Sequence, residues 1–176
     1  MTKALVVIDV QRGMFDNPNL LPHGGEAVVR RIAGLIESAR GANVPVFFIQ
    51  HNGGPTHPFH PGKSGFPFHE KLTPQSDDMV TVKNRSSAFH GTDFNAKLRR
   101  AGVDHLIVTG MQSEYCVDSA IRGAVERGYK VTLVSDGHST FDTKVAKAND
   151  IIAIQNDTMN GSFAKTIPAA EIDFGS

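Results

Sequence analysis

Apolar runs and stretches of helical periodicity alternate along the chain. Short apolar runs predict strands over residues 4–9, 44–50, 79–83, 105–110, 130–136 and 163–167. Apolar residues at helical spacing predict the intervening helices over residues 26–41, 93–102, 113–127 and 143–156. This alternation predicts an α/β fold built from right-handed βαβ units around a mainly parallel sheet.

A long segment of irregular sequence separates the second and third predicted strands. Residues 51–78 contain five prolines, four glycines and four histidines, and loops of this length in a compact domain are usually functional or disordered. The segment also carries three phenylalanines, which we expect to be exposed as a lid or, as we favour, a subunit contact: Phe59, Phe66 and Phe68.

Composition narrows the classes of partner. The chain has 176 residues with 18 basic and 18 acidic side chains, and the resulting zero net charge suggests no nucleic-acid or membrane partner. The N-terminal apolar run is too short for a signal sequence. A single cysteine excludes an internal disulfide and fits a reducing compartment. We therefore expect one domain over residues 1–176, located in the cytoplasm and able to self-associate.

Three reactive side chains fall at the carboxyl ends of predicted strands. Asp9 ends the first strand, Lys83 ends the third, and Cys116 lies just beyond the fourth, in the first turn of a helix. Ligands of open α/β sheets bind at this edge, where the strand order reverses. The fold therefore offers one place where the three side chains can meet.

The chemistry of these residue types is complementary. Cys116 is nucleophilic only as a thiolate, which Lys83 and a helix N-terminus would stabilise. Asp9 could accept the thiol proton and return it to a leaving group. Backbone N–H groups at Gln112 and Cys116 could form an oxyanion hole. Other interpretations stay open, since Cys116 could be a small core residue, Asp9 a loop cap and Lys83 a solvent-facing side chain.

Three local sequences carry a family resemblance. VVIDVQRGMF around Asp9, VKNRSSAFHGTDF around Lys83 and VTGMQSEYCVDSAIRGAVERGYKVTLVSDG around Cys116 together resemble the isochorismatase-like cysteine hydrolases. The resemblance implies a Rossmann-like, three-layer α/β/α sandwich with a six-stranded parallel sheet, assembled as dimers or larger homo-oligomers. It also implies that Cys116 is the nucleophile, Asp9 the general acid/base and Lys83 the orienting cation. A cis peptide at Met111–Gln112 would turn the Gln112 N–H toward the oxyanion.

The resemblance spans more than one chemistry. Some members cleave amide C–N bonds through a thioester, whereas isochorismatases proper cleave a vinyl ether without a cysteine. The combination of Asp9, Lys83 and Cys116 favours hydrolysis of a small amide or ureide without a cofactor. A metal-assisted nicotinamidase and a vinyl-ether hydrolase are the alternatives. A thiol-sensing or ligand-binding protein is a further one, although the chain lacks a second cysteine to resolve a sulfenic acid.

Metal binding and the pocket depend on weaker signals. Nicotinamidase-like members hold a metal with an aspartate and histidines, but no aspartate accompanies His51 here, so we expect no metal. The alternative is a site formed by the four histidines of the loop, since imidazole is the commonest metal ligand: His51, His57, His60 and His69. We expect Phe15, His51 and Phe89 to line the substrate pocket, with Gln112 as a polar contact. Two further residues have structural roles in this interpretation. Asp136 organises the turn that follows it, and Ser113 caps the helix that carries Cys116.

Overall fold

Six parallel strands form one sheet in the computed structural model, which describes residues 1–175. The spatial order is β3-β2-β1-β4-β5-β6, so the direction of strand addition reverses between β1 and β4. The strands are β1 (Lys3–Ile8), β2 (Val46–His51), β3 (Met79–Lys83), β4 (His105–Met111), β5 (Lys130–Ser139) and β6 (Lys165–Ile167). The predicted α/β fold with a six-stranded parallel sheet is confirmed.

Helices cover both faces of the sheet. They are α1 (Gly25–Gly41), α2 (Phe94–Arg100), α3 (Asp118–Val125) and α4 (Ala148–Met159). Successive residues of β1 alternate between the two faces: Val6 and Ile8 pack with α2, α3 and α4, whereas Leu5 and Val7 pack with α1. Because helices cover both faces of the sheet, the sequence of β1 is an uninterrupted apolar run from residue 4 to residue 8. No helix within residues 1–175 is long and apolar enough to cross a membrane.

The helix predicted over residues 113–127 begins differently from the expectation. Ser113–Val117 forms a π-helical turn, and the regular helix α3 starts only at Asp118. Strand β5 extends to Ser139, three residues beyond its predicted end, because the chain continues to pair with Met111 of β4. Helix α4 starts at Ala148 rather than 143, since residues 143–146 form a separate hydrogen-bonded turn.

Strands β1 and β4 approach too closely for a side chain at one position. Gly110 lies beside Ile8 with a φ of +124°, and a Cβ there would stand 2.1 Å from the Ile8 carbonyl oxygen. Only glycine fits both this backbone conformation and this space. The close approach brings the end of β4, and the turn that follows it, against the end of β1.

The segment between β2 and β3 is folded against the rest of the chain. Backbone hydrogen bonds of 2.9–3.0 Å join residues 10–13 to residues 65–69. Phe59 is 8% exposed, and the Phe68 ring packs at 5.3 Å against Phe48. The expectation of exposed phenylalanines was therefore wrong, because Phe59 is buried and Phe66 and Phe68 are half-buried. The apolar layer beneath the loop takes up the rings of Phe59 and Phe68.

Candidate active site

Lys83 lies at the centre of a cluster at the carboxyl edge of the sheet. Its side chain is fully buried, and its Nζ lies 2.6 Å from Asp9 Oδ2 and 3.2 Å from Cys116 Sγ. The same Nζ donates to the carbonyl oxygen of Arg85 at 3.0 Å. The three side chains singled out from strand ends thus meet, because one ammonium group contacts both the carboxylate and the thiol.

Asp9 directly follows β1 in a left-handed conformation, with a φ of +50°. Aspartate tolerates this region better than most residues with a side chain. The residue is 1% exposed, and burial raises the pKa of the carboxyl although Lys83 opposes the shift. Within residues 1–175, Asp9 Oδ1 has no hydrogen-bond partner. Asp9 therefore combines a buried ion pair with an oxygen free to accept a proton.

Cys116 is held as a thiol in the resting protein. Burial first, and the Asp9 carboxylate second, raise its pKa to about 12, while Lys83 acts in the opposite direction. A group with this pKa stays protonated at neutral pH. Attack by the sulfur consequently requires removal of the proton as the bond forms, and Asp9 is the neighbouring base.

The backbone between β4 and Cys116 presents donors to the same region. The Met111–Gln112 peptide is cis, as the resemblance implies. The carbonyl of Gln112 accepts from Tyr115 N and Val117 N, which closes the π-helical turn. Across residues 1–175, the N–H groups of Gln112 and Cys116 make no backbone hydrogen bond to another segment. Both remain candidates for the oxyanion hole.

His51 ends β2 beside this cluster. Its Nδ1 lies 3.4 Å from Lys83 Nζ, and burial, Lys83 and His57 lower the pKa of the imidazole to about 4. A neutral ring that accepts from an ammonium at Nδ1 carries its proton at Nε2. His51 therefore offers an N–H donor next to Lys83.

A family assignment follows from comparison with known proteins. The family model described as the isochorismatase domain matches residues 3–170. The chain belongs to the isochorismatase family. It is 35% identical to the isochorismatase family protein YddQ of Bacillus subtilis (strain 168), over 93% of this chain and 94% of YddQ.

Two further relatives of this isochorismatase-family hydrolase are named as hydrolases. A streptothricin hydrolase of Streptomyces noursei is 34% identical over 82% of this chain, which spans only 52% of that relative's length. The ureidoacrylate amidohydrolase RutB of Methylobacterium radiotolerans is 29% identical over 77% of this chain and 66% of its own.

Solved structures of family members have the same fold. A cysteine hydrolase from Pseudomonas syringae pv. phaseolicola 1448A has a TM-score of 0.88 at 29% identity, covering 96% of this chain and 89% of its own. An isochorismatase from Pseudomonas putida KT2440 has a TM-score of 0.91 at 28% identity, covering 97% and 90%.

The two phenylalanines predicted for the pocket of this isochorismatase-family hydrolase pack against side chains other than Asp9, Lys83 and Cys116. Phe89 is 7% exposed and packs at 4.9 Å against Phe94, with the Arg127 guanidinium 4.8 Å from its ring centre. The apolar layer under α2 and α3 has drawn it into the core. Phe15 packs edge-on against His69 at 4.8 Å and borders a surface cavity at the start of α1.

The four loop histidines separate into different surroundings. The rings of His51 and His57 are 5.9 Å apart, but His57 Nδ1 accepts from the Phe59 N–H within its own loop. His69 faces Phe15 and, at 3.6 Å, a carboxylate oxygen of Glu26. In the part of the chain that the structure describes, no three histidine, cysteine or acidic residues are grouped to hold a metal.

Gln11 supports the site and was not predicted from the sequence. Its side chain is fully buried, donates to the carbonyls of His51 at 3.1 Å and Phe66 at 2.7 Å, and accepts from the His51 N–H at 2.8 Å. It thereby fixes the end of β2, and the roof loop formed by residues 52–78, to the segment after Asp9. The sequence signal for this role is weak, a polar residue three positions beyond the end of a buried strand.

Polar contacts from the end of β5 and from α4 hold the turn Ser113–Val117, here called the nucleophile turn, and the start of α3; these contacts also escaped prediction. Thr140 donates to Glu114 at 2.9 Å, and Gln155 donates to Asp118 at 2.9 Å. Ser113 was expected to cap the helix, but its hydroxyl instead bonds to His138 at 2.7 Å. Asp136 was expected to organise a turn, yet β5 continues past it, and its carboxylate bonds to Arg31 and to the Ala169 N–H.

Proposed function

We propose that the protein hydrolyses a C–N bond of a small amide or ureide through a thioester on Cys116. The observation that carries this proposal is the placement of Lys83 Nζ within 3.2 Å of both Asp9 Oδ2 and Cys116 Sγ. A nucleophile in contact with a base, and a cation that orients both, is the arrangement expected for covalent catalysis. A relative named as a ureidoacrylate amidohydrolase supports a C–N bond as the target, and one named as a streptothricin hydrolase supports hydrolysis of a small molecule.

Acylation of Cys116 begins with transfer of its proton to Asp9. The sulfur attacks the substrate carbonyl carbon, and the oxyanion that forms accepts hydrogen bonds from the N–H groups of Gln112 and Cys116. Collapse of the tetrahedral intermediate breaks the C–N bond, and protonated Asp9 gives its proton to the departing nitrogen. The raised pKa of Asp9 suits both steps, because it strengthens the base and brings its pKa nearer the working pH.

Deacylation reverses these roles with water as the nucleophile. Asp9 takes a proton from water, which attacks the thioester carbonyl, and the carboxylic or carbamic acid leaves. The sulfur recovers the proton, so no net charge or electron is lost in the cycle. Lys83 holds Asp9 and Cys116 in position throughout, and the Nε2–H of His51 is available to a polar group of the substrate.

The roof over the site favours a small substrate. The ring centres of Phe59 and His57 are 4.9 Å apart, and those of His51 and Phe59 are 6.3 Å apart. The roof loop therefore closes against the edge of the sheet that holds Asp9, Lys83 and Cys116. A cavity of about 490 Å³ at the opposite edge, between the starts of β4, β5 and β6, includes none of the three catalytic candidates. We further propose a cytoplasmic location, because a reducing compartment preserves the lone thiol. We also propose a homo-oligomer, as the family resemblance implies.

The test is release of ammonia from a panel of small amides and ureides that includes nicotinamide. We expect turnover that is unaffected by a chelator and abolished in Cys116→Ala. The matched control is Ser119→Ala, a change of similar size on the following helix, which should retain wild-type turnover. Undiminished activity of Cys116→Ala would refute the proposal and favour vinyl-ether hydrolysis, whereas chelator sensitivity would favour a metal-assisted nicotinamidase.

A further inference from the structure

An irregularity in β5 brings a buried histidine to the start of the nucleophile turn. Val108 pairs with Leu133, but Gly110, two residues later, pairs with His138, so β5 accommodates residues 134–137 opposite one residue of β4. The bulge is tight, because a Cβ at Gly137 would stand 2.8 Å from the Val134 side chain. Bulges of this kind re-aim side chains beside active sites.

His138 is the middle member of a directed chain of hydrogen bonds. Asn156 donates through Nδ2 to the carbonyl of Ser135 at 3.0 Å, so its Oδ1 is the acceptor for His138 Nε2, also at 3.0 Å. With its proton on Nε2, His138 accepts at Nδ1 from the Ser113 hydroxyl at 2.7 Å. His138 is 1% exposed, and burial lowers its pKa, which keeps the ring in this neutral form.

We infer that His138 is a positioning residue for Cys116, acting through the buried hydroxyl of Ser113. The inference rests on the proposed function for its catalytic readout. Ser113 is the first residue of the turn that contains Cys116, and it directly follows Gln112. A displaced Ser113 therefore moves the thiol away from Lys83 and moves the two candidate oxyanion donors together. Misplacement of about 1 Å is enough to cost around a hundredfold in rate.

Two conservative variants separate positioning from simple structural support. Asn at position 138 places an oxygen near the position of Nδ1 and keeps the acceptor for Ser113, whereas Gln places a nitrogen near Nε2 and keeps the donor to Asn156. We expect His138→Gln to lower kcat about ten- to a hundredfold with little change in KM, and His138→Asn to stay within a few fold of wild type. If the two variants lose the same melting temperature and also have the same kcat, the inference is overturned.

A smaller change and a substrate-independent readout make the test robust. Ser113→Ala should lower kcat as much as His138→Gln, and the double variant should be no worse, because both remove one interaction. The control is Ser139→Ala, which deletes an equally buried hydroxyl that bonds to the carbonyl of His23. It should leave kcat unchanged.

Alkylation of Cys116 by iodoacetamide distinguishes failure of the inference from failure of the proposed function. Burial is the main cause of the raised thiol pKa, so a loosened turn exposes Cys116 and lowers this pKa. Cys116 should therefore be alkylated severalfold faster in Ser113→Ala and His138→Gln than in His138→Asn. If the wild type hydrolyses no amide, the proposed function fails, but this difference would still support positioning. Equal alkylation of the three variants would overturn positioning whatever the substrate.

Discussion

Replacing Asp9 by asparagine should make the thiol more reactive toward an alkylating agent while it abolishes most turnover. The substitution keeps the shape of the side chain but removes both the base and the negative charge beside Cys116. Because Asp9 is the second cause of the raised thiol pKa, after burial, and Lys83 lowers that pKa, the pKa of Cys116 should fall in Asp9→Asn. Hydrolysis should fall by about 10²–10⁴ through loss of general acid–base catalysis.

The size of the alkylation effect follows from the pKa of the thiol. A rise from 9.0 to about 12 lowers the thiolate fraction at pH 7 from about 1% to about 1 in 10⁵. Each unit recovered raises that fraction about tenfold, but the thiolate becomes less nucleophilic, so the rate gains only about three- to fourfold. A fall of about one to two units in the pKa of the thiol predicts alkylation about three to sixteen times faster than in the wild type.

The assay compares iodoacetamide alkylation with hydrolysis on the same folded samples. The wild-type alkylation rate should climb about tenfold per pH unit between pH 7 and 9, because these values lie below the thiol pKa of about 12. Breaking the buried pair leaves Lys83 uncompensated and should cost about 3–5 kcal/mol of stability, so folding is verified by circular dichroism. Asp157→Asn, on the exposed face of α4, is the control. Slower alkylation, or retained turnover, would contradict the assignment of Asp9 as the base.

Two glycines give predictions that depend on close approach of the backbone. Gly110→Ala should lower the free energy of unfolding by about 3 kcal/mol or more, since its Cβ would stand 2.1 Å from the Ile8 oxygen. The control Gly102→Ala, at a φ of +66° with no atom within 4 Å, should lower it by only about 1–2 kcal/mol. Equal losses in chemical unfolding would contradict the packing argument. Gly13→Ala would place a Cβ 2.6 Å from the Phe59 ring, and we expect the displaced roof to raise KM severalfold in steady-state kinetics, so an unchanged KM would show that the roof does not contact substrate.

The sequence was sufficient to predict the sheet and the meeting of its reactive residues. Apolar runs identify strands buried on both faces, and parallel strands bring their carboxyl ends to one edge, which is why Asp9, Lys83 and Cys116 could be placed together. These inferences need only periodicity and topology. They do not require the orientation of any side chain.

What escaped prediction depends on side-chain orientation and on local register. Phe89 is a few residues beyond Lys83 in sequence, yet its ring turns into the apolar layer with Phe94. The bulge in β5 decides that His138 faces Ser113, and nothing in the pattern of residues 130–139 indicates how many of them the bulge contains. Glycine at 110 and 137 is compatible with many conformations, so the close contacts that require it appear only in three dimensions.

The position of β1 in the middle of the sheet has a consequence for synthesis of the chain. β1 pairs with β2 on one side, within the first 51 residues, but its other side waits for β4, which begins at His105. Until that strand emerges, a five-residue apolar segment presents unpaired backbone groups, a template for aggregation. Contacts this distant in sequence also form slowly. Fragments that end before β4 should therefore aggregate, and the reactive thiol meets its base only when the last central strand is inserted.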